Sequence, residues 1–361
     1  MTIEFRDVTK QYPDGTVAVD KLSLTVEDGT ITVFVGPSGC GKTTSLRMIN
    51  RMVEPTAGQV LLDGKDVAEG DPALLRRGIG YVIQHAGLFP HRTVLDNIAT
   101  VPLLSGWDKA KARKRAAELL EIIGLPVELG KRYPAQLSGG QQQRVGVARA
   151  LAADSPVLLM DEPFSAVDPI VREDLQNELL RLQSQLGKTI VFVTHDIDEA
   201  VRLGDKVAVM RVGGKLAQYG TPADVLRHPV DDFVASFVGR DRGYRGLSFL
   251  SAEGVEVKEL ELVEIGSAVP ASDGWRLAVN TEKQPRGWLR PGSTVDGPLG
   301  EDDLVAGGSL WVRGTPIRGA LDAALSSPAS LGVVVDEDHR VLGAVVARQV
   351  LDVIEGTPQA S

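Results

Sequence analysis

A glycine-rich segment, GPSGCGKT at positions 36–43, is the first candidate for a functional site in this sequence. This phosphate loop fits G-x-x-x-x-G-K-[ST] and lies between a predicted strand at 31–35 and a predicted helix from Ser45. Glycines let the backbone wrap around phosphate groups. Lys42 could then reach the β- and γ-phosphates of a nucleotide, while Thr43 offers a hydroxyl to Mg²⁺. The strand and helix on either side disfavour the alternative of a plain glycine-rich turn.

Further polar residues stand at the ends of predicted strands. Asp161 and Glu162 follow the apolar run VLLM, where Asp161 is suited to hold Mg²⁺ through water and Glu162 to polarise an attacking water. Gln84 ends IGYVIQ and can contact both metal and water, and His195 ends TIVFVTH and can reach a γ-phosphate. Strand-end carboxylates are often merely solvated, and a lone His there is more often structural. These predictions therefore depend on the phosphate loop.

A second candidate anion site is the signature segment, LSGGQ at 137–141, which opens a predicted helix. The Ser138 hydroxyl and the free backbone N–H groups of a helix start can both bind an anion. The chain thus carries two phosphate-binding patterns about a hundred residues apart, and the spacing alone does not say which nucleotide the second one serves.

The elements that must position these residues follow an α/β pattern. Residues 1–35 alternate as strands do, and continuous apolar strands then alternate with helices as far as residue 239. Such runs are typical of a parallel sheet covered by helices on both faces. Helices are predicted at 94–124, 141–153, 171–186 and 222–228.

Composition limits the class of protein. With 43% hydrophobic and 24% charged residues the chain is an ordinary globular protein, and its net charge of −9 argues against a nucleic-acid partner. The single cysteine, Cys40, excludes an intrachain disulfide and fits a reducing compartment. The polar start predicts no signal peptide, and no apolar run approaches the length of a membrane span.

The pattern changes after residue 239. Residues 240–246, RDRGYRG, are predicted to form a linker. Beyond them, 277–289 and 333–345 share one layout of apolar strand, polar turn, glycine and apolar residues at an offset of 56 residues, which indicates an internal repeat. A predicted helix, IRGALDAALSS, precedes only the second copy. We therefore predict domains at 1–239 and 247–361.

Taken together, these motifs resemble the ATP-binding subunits of ABC transporters over residues 1 to about 239. The phosphate loop, Gln84, the signature segment, Asp161-Glu162, the SAVD loop ending at Asp168 and His195 occur in that family's order. The resemblance implies a P-loop NTPase of ABC type, with a RecA-like parallel sheet core, an antiparallel β subdomain and a helical subdomain, followed here by a small α+β domain.

The resemblance also implies an ATPase that uses Mg²⁺, with Glu162 as general base and Gln84, His195 and Lys42 completing the γ-phosphate site. Tyr12 would stack on adenine, although an ordinary exposed strand tyrosine is the alternative. The residues implied to contact ATP are Tyr12, Gly36, Pro37, Ser38, Gly39, Cys40, Gly41, Lys42, Thr43, Thr44, Gln84, Ser138, Gly139, Gly140, Gln141 and Asp168. Those implied to hold the metal are Thr43, Gln84 and Asp161.

In this family two ATPase domains pack head to tail, so Ser138, Gly139 and Gly140 would close over ATP held by the partner's phosphate loop. The implied partners are a second ATPase subunit, most simply another copy of this chain, integral-membrane permease subunits, and, through the permease, an extracytoplasmic substrate-binding protein. The implied location is the cytoplasmic face of the cell membrane.

The segments MINR and IGYVIQHAGLFPH most resemble ATPases of importers for osmoprotectants, namely glycine betaine, carnitine, choline or proline betaine. An importer subunit for another small solute, a non-transport ABC ATPase, and a ligand sensor with vestigial ATPase activity are the alternatives.

The C-terminal domain resembles a degenerate tandem pair of CBS modules. The positions that grip ribose in such modules read Gly343, Val346 and Gln349 in one copy, and Gly287, Arg290 and Ser293 in the other. Neither copy keeps the hydroxyl–carboxylate pair. A regulatory role and a merely structural or dimerising role both remain open.

Overall fold

A computed structural model of the chain describes residues 1–84, 87–165, 167–269, 272–295 and 297–356. Outside these ranges lie Ala166 of the predicted SAVD loop and residues 357–361. So do His85 and Ala86 of IGYVIQHAGLFPH, the segment that resembles osmoprotectant importer ATPases. The chain divides into two compact units, Met1–Gly239 and Arg240–Ser361. Over the described ranges, no helix combines the length and apolar character needed to span a bilayer.

The first unit is an alternation of strands and helices. Its strands are β1 (Ile3–Gln11), β2 (Val17–Val26), β3 (Ile31–Val35), β4 (Ala57–Leu62), β5 (Lys65–Asp66), β6 (Ile79–Val82), β7 (Val157–Asp161), β8 (Thr189–Thr194), β9 (Lys206–Arg211) and β10 (Lys215–Gly220). Its α-helices are α1 (Lys42–Ile49), α2 (Pro72–Arg77), α3 (Val94–Ile98), α4 (Thr100–Leu104), α5 (Lys109–Ile122), α6 (Gly139–Leu151), α7 (Pro169–Leu186), α8 (Ile197–Leu203), α9 (Pro222–Arg227) and α10 (Asp232–Val238). Short 3₁₀ turns occur at Val127–Lys131 and Pro134–Gln136.

The central sheet has the strand order β10-β9-β3-β8-β7-β6. Its pairs are parallel except that β10 runs antiparallel to β9. Every residue of β3, β7 and β8 is buried, as expected for a sheet covered on both faces. Because side chains alternate along a strand, Val33 and Val35 join one hydrophobic cluster while Phe34 joins the other. The predicted parallel core is confirmed.

A smaller sheet of order β2-β1-β4-β5 forms the antiparallel part of the first unit. It packs on one face of the central sheet, where the rings of Phe5 in β1 and Phe34 in β3 lie 6.0 Å apart between centroids. This cluster also contains Leu46, Met48 and Ile49 of α1, so the helix that follows the phosphate loop is held between the two sheets.

The helical part corrects one prediction. A single helix over 94–124 is wrong, because the segment is divided into α3, α4 and α5. Pro102 lacks an N–H donor, Gly106 takes a positive φ of 83°, and Asp108 caps the next helix by accepting from the Ala110 and Lys111 N–H groups. The apolar periodicity runs on through these residues, but the local backbone chemistry interrupts the helix.

The second unit contains two small sheets. Its strands are β11 (Leu262–Glu264), β12 (Arg276–Val279), β13 (Pro285–Leu289), β14 (Trp311–Val312), β15 (Leu331–Val335) and β16 (Val341–Val346). Its helices are α11 (Arg242–Gly246), α12 (Ile317–Ser326) and α13 (Ala347–Gly356), with 3₁₀ turns at Leu247–Phe249 and Glu301–Asp303.

The internal repeat is visible in the strand register. Both sheets, β11-β12-β13 and β14-β15-β16, join a parallel pair to an antiparallel pair. Leu277 pairs with Trp288 in the first sheet. The residues 56 positions after these two, Val333 and Ala344, pair with each other in the second sheet. Helix α12 separates β14 from β15, whereas the described residues between β11 and β12 form no helix. Over the described residues, the first copy therefore has the strands of the repeat but not this helix.

Residues 240–246 were predicted as a linker, and the structure corrects this. Most of the segment forms helix α11, and Arg240 opens the second compact unit. Tyr244 packs against the hydrophobic cluster of that unit, and the Arg318 guanidinium of α12 lies 4.9 Å from the centre of its ring. The composition is typical of a linker, but the Tyr244 ring packs the segment against the core of the second unit.

Candidate active site

The phosphate loop joins β3 to α1 through a backbone that only glycine can follow at two positions. Gly36 and Gly41 have φ values of 154° and 93°. A Cβ on Gly36 would lie 2.2 Å from the Met210 carbonyl oxygen, and one on Gly41 would lie 2.1 Å from that of Ala18. The loop is thus pressed between β2 and β9, and its glycines are required by close backbone approach.

Lys42 lies inside the curve of the loop. Its Nζ donates to the carbonyl oxygens of Gly36 at 2.7 Å and Pro37 at 3.0 Å, and it lies 3.7 Å from the Cys40 sulfur. Burial raises the pKa of the Cys40 thiol, so this cysteine acts as a small, un-ionised filler. Gly36 and Pro37 thus contribute their carbonyl oxygens as acceptors for the Lys42 ammonium group.

A cleft opens in front of the loop. It is lined by Ala18, Glu162 and the loop residues Ser38, Gly39, Cys40, Gly41, Lys42, Thr43 and Thr44. Backbone N–H groups at the start of α1, a hydroxyl and an ammonium group therefore converge on one space. That combination suits a polyphosphate.

The Asp161 carboxylate lies beside Thr43. The Thr43 hydroxyl donates to Asp161 Oδ1 at 2.8 Å, and Asp161 itself is buried at the end of β7. A hydroxyl and a carboxylate oxygen are the donors that Mg²⁺ prefers, and this ion usually keeps few protein ligands. The pair therefore fits a magnesium ion shared with phosphates. The described residues contain no group of three or more His, Cys, Asp or Glu side chains placed to hold a metal.

Two residues that the sequence analysis missed complete the surroundings of Asp161. Tyr81 in β6 donates its hydroxyl to Asp161 Oδ2 at 3.4 Å, and the Arg47 guanidinium lies 3.5 Å from the same oxygen. Burial raises the pKa of Tyr81, so its phenol keeps the proton it donates. Arg47 stands one helical turn after Thr43 and so shares its face of α1, which is the signal that could have found it.

Glu162 meets the other two predicted polar residues. Its Oε2 accepts from Gln84 Nε2 at 3.3 Å and lies 3.1 Å from His195 Nδ1. These three residues follow β6, β7 and β8, three neighbouring parallel strands whose carboxyl ends share one edge of the sheet. Glu162 has a φ of 45°, unusual for a non-glycine residue, and its N–H donates to the Val193 carbonyl. The backbone thereby turns the carboxylate toward the cleft.

Behind His195 lies a buried carboxyl group that the sequence analysis also missed. Glu199 Oε2 accepts from the Thr194 hydroxyl at 2.6 Å, and Gln176 Nε2 lies 3.4 Å from Oε1. Thr194 Oγ1 in turn accepts from the Asp196 N–H at 3.0 Å. Because Thr194 precedes His195 directly, this network fixes the loop that carries the histidine. Burial raises the pKa of Glu199 above its usual range.

The raised pKa predicts a pH effect on stability. The folded chain holds the Glu199 proton to a higher pH than the unfolded chain, so the contribution of Glu199 to the free energy of unfolding falls as the pH rises above 4.5 through the folded value. Glu199→Gln keeps the Thr194 contact and removes this penalty. We expect the melting temperature of this variant, relative to that of the wild type at the same pH, to rise between about pH 5 and pH 8, measured by scanning calorimetry. A difference between the two proteins that does not change with pH would contradict this expectation.

The signature segment begins α6 with a capping box. Ser138 Oγ accepts from the Gln141 N–H at 3.3 Å, and Gln141 Oε1 accepts from the Ser138 N–H at 3.0 Å. The helix therefore starts at Gly139, two residues before its predicted start. Ser138 and Gly139 are exposed, and no residue of 137–141 lines the cleft at the phosphate loop.

Tyr12 and Asp168 are also absent from that lining, as are Gln84, Asp161 and His195. Tyr12 is 37% exposed and belongs to a separate open cleft formed by residues 10–13, 15 and 54–56, with Lys10 Nζ 5.3 Å from its ring centre. Asp168 is exposed before α7, where its carbonyl accepts from the Arg172 N–H. Neither lines the cleft in front of the loop.

Comparison with known proteins agrees with this geometry. A family model described as ABC transporter matches residues 19–165. The choline transport ATP-binding protein OpuBA of Bacillus subtilis (strain 168) is 40% identical over 373 residues, covering 98% of this chain and 96% of that protein. The chain belongs to the family of ABC transporter ATP-binding proteins.

Other relatives match about two thirds of this ABC transporter ATP-binding protein. The carnitine transport ATP-binding protein OpuCA of Listeria monocytogenes serotype 1/2a (strain 10403S) is 52% identical over 240 residues, 66% of this chain and 60% of that protein. A solved dimeric structure of the ATP-binding cassette MJ0796, in a post-hydrolysis state bound to ADP and Pi, is 34% identical with a TM-score of 0.57. It covers 61% of this chain and 98% of that one. The chain is thus an ABC-type ATPase that binds ATP.

Proposed function

We propose that this chain is the ATP-hydrolysing subunit that powers a membrane importer of osmoprotectants: glycine betaine, carnitine, choline or proline betaine. The observation that carries the proposal is the 40% identity to a choline transport ATP-binding protein along 98% of the chain, which includes both units. Relatives named for carnitine and for glycine betaine, carnitine and choline transport support the same cargo class. An importer subunit for another small solute is the next candidate, because the residues of the ATPase site do not determine which solute is transported.

The proposal gives each residue of the site a role. The Lys42 ammonium leaves its contacts with the loop carbonyls to bind the β- and γ-phosphates of ATP. The Glu162 carboxylate accepts a proton from the attacking water, and His195 and Gln84, both in contact with that carboxylate, orient it and the γ-phosphate. Support for these roles comes from the convergence of the three side chains at one edge of the sheet.

Thr43, Asp161 and Gln84 are the proposed magnesium ligands. The oxygen donors of Thr43 and Asp161 are in mutual contact, while Gln84 reaches the same edge of the sheet next to Glu162. When bound, the ion would offset negative charge on the phosphate oxygens. The chain's own part is to hold these oxygens in place before nucleotide arrives.

Two copies of the chain would form the working ATPase. The exposed start of α6 would close over ATP in the partner, with Ser138 Oγ and the Gly139 and Gly140 N–H groups meeting the γ-phosphate. Two observations support this: Ser138 and Gly139 are exposed at the start of α6, and the related cassette MJ0796 was solved as a dimer. In this arrangement Tyr12 would stack on adenine, and Gln141 and Asp168 would lie at the dimer interface near the nucleotide.

The proposed assembly places the chain at the cytoplasmic face of the membrane, bound to permease subunits that receive cargo from an extracytoplasmic binding protein. No nucleic-acid partner is proposed, in keeping with the net charge of −9. The second unit would be a degenerate tandem CBS-like module. Its shared 56-residue strand register supports a duplicated origin, and the lack of a helix among the described residues between β11 and β12 supports degeneration.

Uptake of labelled glycine betaine and choline, with and without added salt, tests the proposed function. Cells with the wild-type chain would be compared with cells carrying Glu162→Gln and with a control, Glu173→Gln, which neutralises an exposed carboxylate paired with Arg202 on α8. We expect salt-stimulated uptake in the wild type and the control, and its loss in Glu162→Gln.

The two ways in which this test can fail are distinct. Uptake that persists in Glu162→Gln while purified wild-type protein hydrolyses ATP would remove the osmoprotectant cargo and leave the ATPase. Absence of ATP hydrolysis in the purified wild-type protein would remove the enzymatic proposal itself.

A further inference from the structure

The two carboxylate oxygens of Asp161 have different neighbours. Oδ1 accepts from the Thr43 hydroxyl at 2.8 Å and faces the phosphate loop. Oδ2 accepts from the Tyr81 hydroxyl at 3.4 Å and lies 3.5 Å from Arg47 Nη2. One oxygen thus contacts the proposed metal ligand Thr43, and the other contacts two side chains from α1 and β6.

These two side chains also contact each other. Arg47 Nε donates to the Tyr81 hydroxyl at 3.4 Å, which closes a ring of contacts among Arg47, Tyr81 and Asp161. The residues come from α1, β6 and β7, so the ring ties the helix after the phosphate loop to two strands of the central sheet. Arg47 is partly exposed, whereas Asp161 is buried, so the cation reaches inward to a carboxylate that solvent does not reach.

A carboxylate held at one oxygen cannot rotate freely about its Cβ–Cγ bond. Hydrogen bonds from residues behind a metal ligand orient that ligand, and their loss commonly lowers metal affinity by about 10- to 100-fold. The geometry around Oδ2 has this form, and nothing in the roles assigned above to Lys42, Glu162 or His195 uses it.

We propose that Tyr81 and Arg47 are positioning residues that hold Asp161 Oδ2 so that Oδ1 stays directed at Thr43 for the metal ion that accompanies ATP. Tyr81 makes the contact with Oδ2, and Arg47 fixes the Tyr81 hydroxyl while balancing the buried negative charge. The inference rests on the proposed function, which makes Asp161 a metal ligand.

Tyr81→Phe removes the hydroxyl and keeps the ring. The full-length chain would be titrated with ADP by calorimetry at a series of Mg²⁺ concentrations and in EDTA, so that no hydrolysis enters the measurement. We expect the half-saturating Mg²⁺ concentration to rise about 10-fold, while the ADP affinity in EDTA stays unchanged. A purely structural role would instead lower the ADP affinity equally in Mg²⁺ and in EDTA.

Tyr219→Phe is the matched control, because it removes a half-buried tyrosine hydroxyl in β10 that donates to the Thr25 carbonyl. It should leave the Mg²⁺ requirement at the wild-type value. Arg47→Lys keeps the charge but not the forked donor, so we expect a smaller rise. In the double variant, the half-saturating Mg²⁺ concentration should rise by less than the product of the two separate fold-changes, because both substitutions act through one contact.

A Mg²⁺ requirement in Tyr81→Phe within twofold of the wild type, or an equal rise in Tyr219→Phe, would overturn the inference. Wild-type protein whose ADP affinity does not depend on Mg²⁺ would instead count against the proposed metal site, so the two failures are distinguishable.

Discussion

Replacing Glu162 with Gln is expected to lower ATP turnover by about 10²- to 10⁴-fold, the usual contribution of a positioned general base. The amide keeps the size of the carboxylate and can still contact Gln84 and His195, but it cannot accept a proton from water. ATP should therefore bind and remain intact. Because the proposed closure of two copies depends on intact ATP, the variant should accumulate as a closed dimer.

Phosphate release and light scattering at saturating ATP and Mg²⁺ would measure the two effects together. Glu173→Gln, which changes an exposed carboxylate on α7, should retain wild-type turnover and return to monomers once its ATP is spent. A Glu162→Gln protein that stays monomeric at saturating ATP would remove the link between nucleotide and association. One that hydrolyses ATP at the wild-type rate would remove the general-base role.

Ser138→Asp is expected to lower turnover by about 10²- to 10³-fold, the range found when one donor that stabilises transition-state charge is lost. Asp caps a helix as well as Ser does, so the start of α6 should survive. Its negative charge, however, would face the γ-phosphate in the partner's cleft. Ser138→Asn, which caps equally well without the charge, is the control and should lose much less activity.

Mixing Ser138→Asp with Lys42→Ala tests which chain the signature segment serves. In a mixed dimer, one site would combine the intact loop of the first variant with the intact signature segment of the second. Half of the dimers in an equal mixture would be mixed, each with one intact site of two, so ATP turnover should reach about a quarter of the wild-type rate. If the signature segment acted within its own chain, no intact site would exist, and the mixture would turn over ATP no faster than the two variants measured separately.

Much of the site was predictable because its chemistry is carried by short motifs whose elements have a local cause. The phosphate-binding role of the glycines and Lys42 could be predicted because their motif lies between a strand and a helix. Gln84, Glu162 and His195 each end an apolar strand, and parallel strands bring their carboxyl ends to one edge of a sheet. The contacts of Glu162 with the other two are therefore what the strand pattern predicts.

The errors and omissions share a different cause. The division of 94–124 into three helices depends on Pro102, Gly106 and Asp108, which interrupt the helix without disturbing its apolar period. Residues 240–246 have the composition of a linker, yet Tyr244 packs into the second unit. In both places the decisive interactions are those of single residues, which a pattern averaged over a window cannot resolve.

By itself, the sequence determined the α/β class, the duplicated strands of the second unit, and the phosphate loop with its partner carboxylates, because each has a period or spacing imposed by the backbone. The contacts of Arg47 and Tyr81 with Asp161, and the support that Glu199 gives to the His195 loop, follow from the folded arrangement. The same is true of the separation of the signature segment from the cleft of its own chain. These contacts join residues distant in the sequence, and their distances depend on how strands and helices pack, which no local pattern encodes.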